Sequence, residues 1–498
     1  MSVPESVKNR SDLSGPASGE NGVSKNLILA FLSIAQFMVF LDVSIVNVAL
    51  PSIEKALSIS ENNLPYVVTA YGLLLGGCLL LGSRLADRFG RRLLLQTGLT
   101  IFGIASLAAG LAQDQIVLFV ARGLEGFGAA LIAPAALSTL TVTFAEGAER
   151  NKALGVWGSL TGLASVAGVI FGGLLSQGPG WRWIFFINVP IAVFTVALAP
   201  RILPESRSNQ DGQRFDIAGA ALLTASLLAL IYTLGEAIKK GWGDPTIIAG
   251  LIVAAVLFAI FTQVESRTEA PLIPFSIFRN STLRTANLAT MFLLGCVVTI
   301  FFFASLFMQQ VLDYSALKTG LAYVPLALVV GVGAGVASGV VTKAAAKPVL
   351  LVGLALVSIG MVLLWRMPSD ASYLTQILPV FLMVGLGMGL AFVPLQIAAQ
   401  LKVSPNQAGL AAGLINTSQE LGGALGVAVA ATISFARVDT LTAQAHGDPI
   451  LVQAARTTVF HEAFLVGGCF AGFALLLCLV FLPLMRASET EAARQPVG

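Results

Sequence analysis

Charge is what this sequence has least of. Asp, Glu, Lys and Arg together supply 11% of its 498 residues, against 56% apolar residues and a mean hydropathy of +0.85. A soluble globular surface takes roughly a quarter of its residues from the charged set. A fold with its whole surface in water is therefore excluded, and lipid is the matching solvent. Histidine is almost missing: His446 and His461 are the two in the chain, and neither has a Cys or a paired acidic residue at ligand spacing. Cysteine is scarce as well. Cys78, Cys296, Cys469 and Cys478 each fall inside an apolar run, with no Cys-x-x-Cys pair, which makes them small hydrophobes rather than metal or redox ligands. No basic cluster interleaved with aromatics is present, so nucleic-acid binding has no electrostatic footprint. A nucleophile–His pair and a phosphate-binding Gly loop are also lacking. No enzyme, metal site or cofactor is expected.

What remains is a series of long apolar runs. A helix needs about 17–25 such residues to cross the hydrocarbon layer. That length picks out fourteen candidate spans: 27–50, 64–83, 93–112, 116–139, 153–175, 184–203, 217–234, 246–264, 286–311, 321–341, 349–365, 374–399, 409–435 and 463–485. Each must be helical, because lipid offers no partner to a free backbone group. Lys and Arg fall unevenly between the loops. With both termini inside, inner segments hold 20 of them and outer segments 8, the bias that sets cytoplasmic loops. Trp181, Trp242 and Trp365 fall at outer ends of spans, where an aromatic belt belongs. The predicted division is a disordered cytoplasmic tail over 1–26, a six-helix bundle over 27–204, a connector with two extra spans over 205–280, a second six-helix bundle over 281–486, and a cytoplasmic tail over 487–498. The run following the first tail is too long for a signal peptide and has no small-residue cleavage pattern. The longest outer loop is expected over 437–462, with both histidines in it.

In a chain this sparing of charge, an ionisable residue deep in a span points to function. Asp42 lies in the first span, towards its outer half. Arg122 and Glu125 lie in the fourth, three residues apart and so on one helix face. Glu420 lies near the middle of the thirteenth. A carboxyl held in low dielectric loads and releases protons near neutral pH, and it also attracts a cation. The competing reading is an ion pair that only fixes helix packing. It applies most to Glu125, which has Arg122 beside it. Phe301, Phe302, Phe303 and Phe307 in the ninth span offer either stacking surface for a ligand or lipid-facing packing.

Several motifs resemble one family. The first span carries Leu41-Asp42-Val43-Ser44-Ile45-Val46-Asn47-Val48-Ala49-Leu50-Pro51, and the loop after span two reads Ser83-Arg84-Leu85-Ala86-Asp87-Arg88-Phe89-Gly90-Arg91-Arg92. The fourth span contains Arg122-Gly123-Leu124-Glu125-Gly126-Phe127-Gly128, and Trp181-Arg182-Trp183 leads to Asn188-Val189-Pro190. Taken together these resemble the drug:proton antiporters with fourteen spans of the major facilitator superfamily, over essentially the whole chain. Two positions depart by adding a protonatable group: Glu125 and Glu420 stand where relatives carry Gln. In the fifth span, 164–173 resembles the antiporter motif, with Val169 in place of its proline and Ala164 in place of its first glycine.

The resemblance implies an all-α integral membrane protein of the major facilitator fold, two six-helix bundles plus a central extra pair. It implies proton-coupled export of amphipathic or cationic small molecules across the cytoplasmic membrane by alternating access, with lipid and protons as further partners and a monomer as the working unit. Proton coupling would fall to Asp42, Arg122, Glu125 and Glu420. Substrate contact would fall to Asp42, Glu125, Asn416, Glu420 and Phe303, and gating to Asp87, Arg88, Gly90, Arg91 and Arg92. Rival readings are a narrow exporter of one endogenous metabolite or antibiotic, an importer, and a non-transporting membrane sensor. Against the sensor stands the lack of any sizeable soluble domain between the spans.

Overall fold

The computed structural model describes residues 23–60, 63–64, 66–206, 216–268, 271–343, 345–404, 407–435 and 449–484. Most of the tail expected over 1–26, the tail over 487–498, residues 207–215 of the connector, and His446 lie outside them. Among the described residues the regular structure is helical, with no strand.

The first bundle is built from α1 (Lys25–Leu57), α2 (Tyr66–Phe89), α3 (Arg91–Leu111), α4 (Gln115–Thr143), α5 (Ala148–Gln177), α6 (Trp183–Phe186) and α7 (Asn188–Ile202). The central pair is α8 (Ile217–Lys240) and α9 (Pro245–Glu265). The second bundle follows with α10 (Ser281–Gln310), α11 (Ala316–Ala322), α12 (Val324–Lys343), α13 (Ala346–Trp365), α14 (Leu378–Gln400), α15 (Ala408–Phe435) and α16 (Pro449–Phe481). Thirteen spans among the described residues are long and apolar enough to cross a membrane. The one expected span not among these thirteen is the thirteenth, 409–435, which forms α15, a helix of 28 residues. Its polar run Asn416-Thr417-Ser418-Gln419-Glu420 is what lowers its hydropathy below that of the others.

Short polar residues start several of these helices by accepting from free N–H groups of the first turn. The Asp114 carboxylate accepts from Ile116 N at 2.8 Å and Val117 N at 3.0 Å to open α4. Asp244, followed by Pro245, opens α9, and Asn280 opens α10. Two expected spans are broken instead of continuous. The sixth divides at Ile187 and the tenth at Tyr323. Pro190 and Pro325 lie in the first turn of the segment that restarts, the one place in a helix where a missing N–H costs nothing. The break before Asn188 sets that residue at a helix start inside the bundle. The fourth span of each bundle also carries an interior proline, Pro134 in α4 and Pro394 in α14.

In the first bundle α4 lies between α2 and α3, α1 runs along α5, and α3 packs on α7. In the second, α10 packs on α15 and α16, and α14 on α12 and α13. The bundles meet along two seams, α2 against α15 and α5 against α12, and α8 lies beside the first seam. Helix α9 packs on α8 and leaves Ile252, Val253, Val256 and Phe258 exposed, a lipid face.

Three expectations are corrected. The outer loop predicted over 437–462 is helical from Pro449 onward, and His461 sits on α16 with its Nε2 2.7 Å from the Met367 carbonyl. Trp181 is buried rather than set in a belt, edge-on to Phe185 with centroids 6.1 Å apart. The predicted tail ends early, because α1 is already helical at Lys25.

Candidate functional site

At the heart of the first bundle, five helices (α1, α2, α3, α4 and α7) contribute to one polar cluster in an otherwise apolar interior. Asp42 and Glu125 are fully buried and Arg122 is 1% exposed. A single nitrogen of Arg122, Nη1, donates to Asp42 Oδ2 at 2.6 Å and to Glu125 Oε2 at 2.6 Å. Its Nε donates to the Val67 carbonyl at 3.0 Å. The guanidinium lies over the Tyr71 ring, with Cζ 4.5 Å from the centroid, and has Phe185 on another side at 5.9 Å. The other carboxylate oxygens are also engaged: Ser106 Oγ donates to Glu125 Oε1 at 2.5 Å, and Asn188 Nδ2 donates to Asp42 Oδ1 at 2.9 Å. Asn188 also reaches Ser106 Oγ at 3.3 Å.

Close helix approach makes this possible. Gly126 of α4 sits on the Tyr71 backbone, so that a Cβ there would lie 2.1 Å from the Tyr71 carbonyl oxygen. Gly168 of α5 presses on α1 beside Asp42, where a Cβ would lie 2.3 Å from Ser44 Oγ. This is the small-residue face of the fifth-span motif, kept although its proline is absent.

With both carboxyls ionised the cluster carries one negative charge too many. In a site this deeply buried, balance is reached when one carboxyl is protonated. The arrangement is thus suited chemically to holding one proton on a coupled pair of acids, with Arg122 cancelling the other charge.

Glu420 stands apart from this cluster. It lies on α15 at the seam with α2, where a Cβ on Gly76 would be 3.4 Å from Glu420 Cβ. It is partly exposed and has no ion pair among the described residues. Asn416, Gln419 and Glu420 share one helix face, and the amide nitrogens of Asn416 and Gln419 have no partner among the described residues. Phe303 is not brought to either place. It is fully buried in the core of the second bundle, while Phe302 is exposed and Phe307 packs against Phe460 and Phe464.

The loop motif forms a third constellation, at the opposite end of α2 from Tyr66. Asp87 is buried against the start of α15, accepting from the Leu410 backbone N–H, and a Cβ on Gly409 would meet its carboxylate. Arg91 Nη2 donates to Asp87 Oδ1 at 3.2 Å, and its Nη1 donates to Ser206 Oγ at 2.8 Å. Arg92 donates to the Leu203 carbonyl at 3.2 Å and pairs with Glu205 at 3.4 Å. Arg88 is half-buried over the Phe89 ring. Gly90 turns the chain at φ +112, with the Glu205 carboxylate where a side chain would be. Arg84 reaches further, to the carbonyls of Leu272 (through Nε) and Pro271 (3.4 Å), beyond the central pair.

Sequence reasoning missed Ser106, Asn188 and Tyr71 as members of the central cluster. Asn188 carried a signal, a polar residue two positions before a proline inside an apolar run. Ser106 and Tyr71 carried none beyond their presence in a span.

Comparison with known proteins follows the same lines. The family model described as Major Facilitator Superfamily matches residues 32–427. The puromycin resistance protein pur8 of Streptomyces alboniger is 37% identical over 472 residues, covering 93% of this chain and 92% of that protein. The cephamycin export protein CmcT of Amycolatopsis lactamdurans is 36% identical over 403 residues, covering 80% and 83%. Among solved structures, the human organic anion transporter MFSD10 (TETRAN) matches with a TM-score of 0.64 at 14% identity, over 90% of this chain and 99% of that one. At that identity the likeness concerns the fold.

Proposed function

The chain belongs to the Major Facilitator Superfamily of membrane transporters, and from that premise we propose that it exports amphipathic or cationic small molecules across the cytoplasmic membrane in exchange for protons. The observation that carries this reading is the Asp42–Arg122–Glu125 cluster, two buried carboxyls on one guanidinium nitrogen. Such a site is neutral with one proton aboard and anionic without it, which gives protonation a structural consequence. In this reading the cluster is loaded from outside and emptied inside. Each proton moving down a 100 mV potential supplies about 2.3 kcal/mol.

Alternating access would come from the two six-helix units, 27–204 and 281–486, rocking about a central path near the membrane midplane. The 205–280 connector and its two spans stay at the side, and the protein works as a monomer with both termini cytoplasmic. Glu420, with Asn416 beside it, is the contact for a substrate cation, since it has no protein cation of its own. Asp87, held by Arg91 and set on the head of α15, closes the cytoplasmic side. Gly90, Arg92 and Arg88 shape the turn that holds it.

A narrower reading has its own support: the two relatives above are each named for a single antibiotic. Both readings meet one experiment, efflux from proteoliposomes under an imposed pH gradient with a cationic dye and with puromycin. Gradient-driven movement of the dye that is lost in Asp42→Asn supports the multidrug reading. Movement of puromycin alone supports the narrow one. Movement of neither, from protein shown to be folded and inserted, overturns the multidrug reading and leaves an exporter of one other solute.

A further inference from the structure

Asp216 and Glu265 stand at the open end of the central pair, one just before α8 and the other at the last residue of α9. Each carboxyl gives one oxygen to the backbone. Asp216 Oδ1 accepts from Gly219 N at 2.8 Å and caps α8, and Glu265 Oε1 accepts from Ile273 N. The second oxygens, Asp216 Oδ2 and Glu265 Oε2, are buried and have no donor among the described residues. Both lie over Gly219, where a Cβ would be 2.3 Å from the first and 2.9 Å from the second. The two carboxyls are in hydrogen-bonding contact with each other, and Glu265 is only 3% exposed.

Two ionised carboxylates cannot satisfy one another, because both only accept. At this separation they also repel, more strongly for being buried. One proton held between them removes both penalties. The cation facing the pair is Arg84 of α2, with Asp87 and Arg91 beyond it. Arg267 at the end of α9 and Arg279 are exposed to solvent. Arg84 donates to the carbonyls of Leu272 and Pro271 and forms no ion pair with either acid among the described residues. With one shared proton the two acids carry a single negative charge, which that guanidinium balances. The same residues are joined mechanically. Glu265 holds Ile273, next to the two carbonyls that hold Arg84, and Leu272 and Ile273 pack with Leu80 of α2 and Leu223 of α8.

We propose that Asp216 and Glu265 share one proton, and that this proton fastens the open end of the central pair to α2. Loss of the proton sets two like charges in contact, parts the ends of α8 and α9, and frees the 271–273 segment from Arg84. The fastening is present at low pH and lost as pH rises through the titration of the pair. It lies at the end of α2 that carries Asp87, and it is independent of what the protein transports and of whether protons drive it.

The test uses the full-length protein in detergent, as wild type, Glu265→Gln and Glu265→Ala, over a pH series. Infrared spectra follow the C=O stretch of protonated carboxyls, and hydrogen exchange, corrected for the intrinsic rate at each pH, follows protection in 271–280 and the first turn of α8. Helix α4 serves as the reference. Wild type is expected to show a protonated-carboxyl band that is missing from Glu265→Gln. As that band titrates away, protection in the two segments should fall by about tenfold, the worth of one hydrogen bond to a charged group. Glu265→Gln supplies an amide donor that does not titrate, so its protection should stay high at every pH. Glu265→Ala should be poorly protected at every pH, with α4 unchanged. No band difference between wild type and Glu265→Gln would mean that both acids are ionised and balanced by Arg84, which overturns the shared proton. Wild-type protection that ignores pH overturns the fastening. Glu265→Gln that loses protection with pH as wild type does, or is less protected than wild type at neutral pH, overturns the proposal as well.

Discussion

Asp42 and Glu125 depend on one atom, the Nη1 nitrogen of Arg122, which lies 2.6 Å from an oxygen of each. Neither acid has a cation to itself, so the charge state of one sets the strength of the other's hydrogen bond. Removing one acid leaves a matched pair that balances without a proton. Asp42→Asn and Glu125→Gln are therefore each expected to slow gradient-driven export by on the order of tenfold or more, while dye-for-dye exchange, which needs no net proton, persists. Equal losses in exchange and in gradient-driven export would mean that the acids hold the fold or the substrate instead.

Arg122→Ala is expected to behave differently from either acid substitution. It strands two buried carboxyls with no cation, a change that costs about 3–5 kcal/mol in other buried ion pairs. Thermal unfolding in detergent should occur well below that of the wild type, and the double variant Arg122→Ala with Glu125→Gln should recover part of the difference. Full additivity of the two changes would show that the ion pair is not coupled.

Only part of this site was legible in the sequence. Arg122 and Glu125 share a helix face because they are three residues apart, and that is a property of any helix. The contact between Asp42 and Arg122 joins residues 80 apart in the chain and depends on how α1 crosses α4, which no local pattern encodes. The same limit applies to Asp87. Its motif was plain, yet its partner, the first turn of α15, follows from the docking of two bundles. The phenylalanines of α10 show the converse. Phe303 and Phe307 share a face by spacing alone, but only packing decides that this face meets Phe460 and Phe464 rather than a ligand. Span positions were legible because lipid dictates their length, and broken helices were not because a proline in a first turn looks like any other proline.

The turn proposed as the gate offers a sharp substitution at Gly90. Its φ of +112 is a conformation that L side chains rarely adopt, and the Glu205 carboxylate fills the space of a Cβ. Gly90→Ala is expected to cost about 1–3 kcal/mol of local strain and to displace Glu205 from Arg92. Because the turn holds α2 against α3 one residue before Arg91, the Asp87–Arg91 pair should loosen. A cysteine-accessibility assay at the start of α15, beside Asp87, would detect this as faster labelling in the variant. Unchanged labelling would separate the turn from the closure of that side.

Arg84, on α2 shortly before Gly90, ties that helix to the segment that leaves the central pair. Its guanidinium donates to the carbonyls of Leu272 and Pro271, and neighbouring Leu80 packs with Leu272 and Ile273 in one apolar cluster with Ala220, Leu223 and Phe261 of the extra helices. A buried guanidinium with two carbonyl acceptors is a strong tether, since each charge-assisted bond contributes about 1.5–3 kcal/mol. Arg84→Met keeps the apolar stem and removes both bonds. Hydrogen exchange should then rise in α8, in α9 and in the 271–280 segment, with α4 unchanged. If exchange rises instead throughout the first bundle, Arg84 supports the bundle itself, and the extra pair is held to the transporter by its apolar contacts alone.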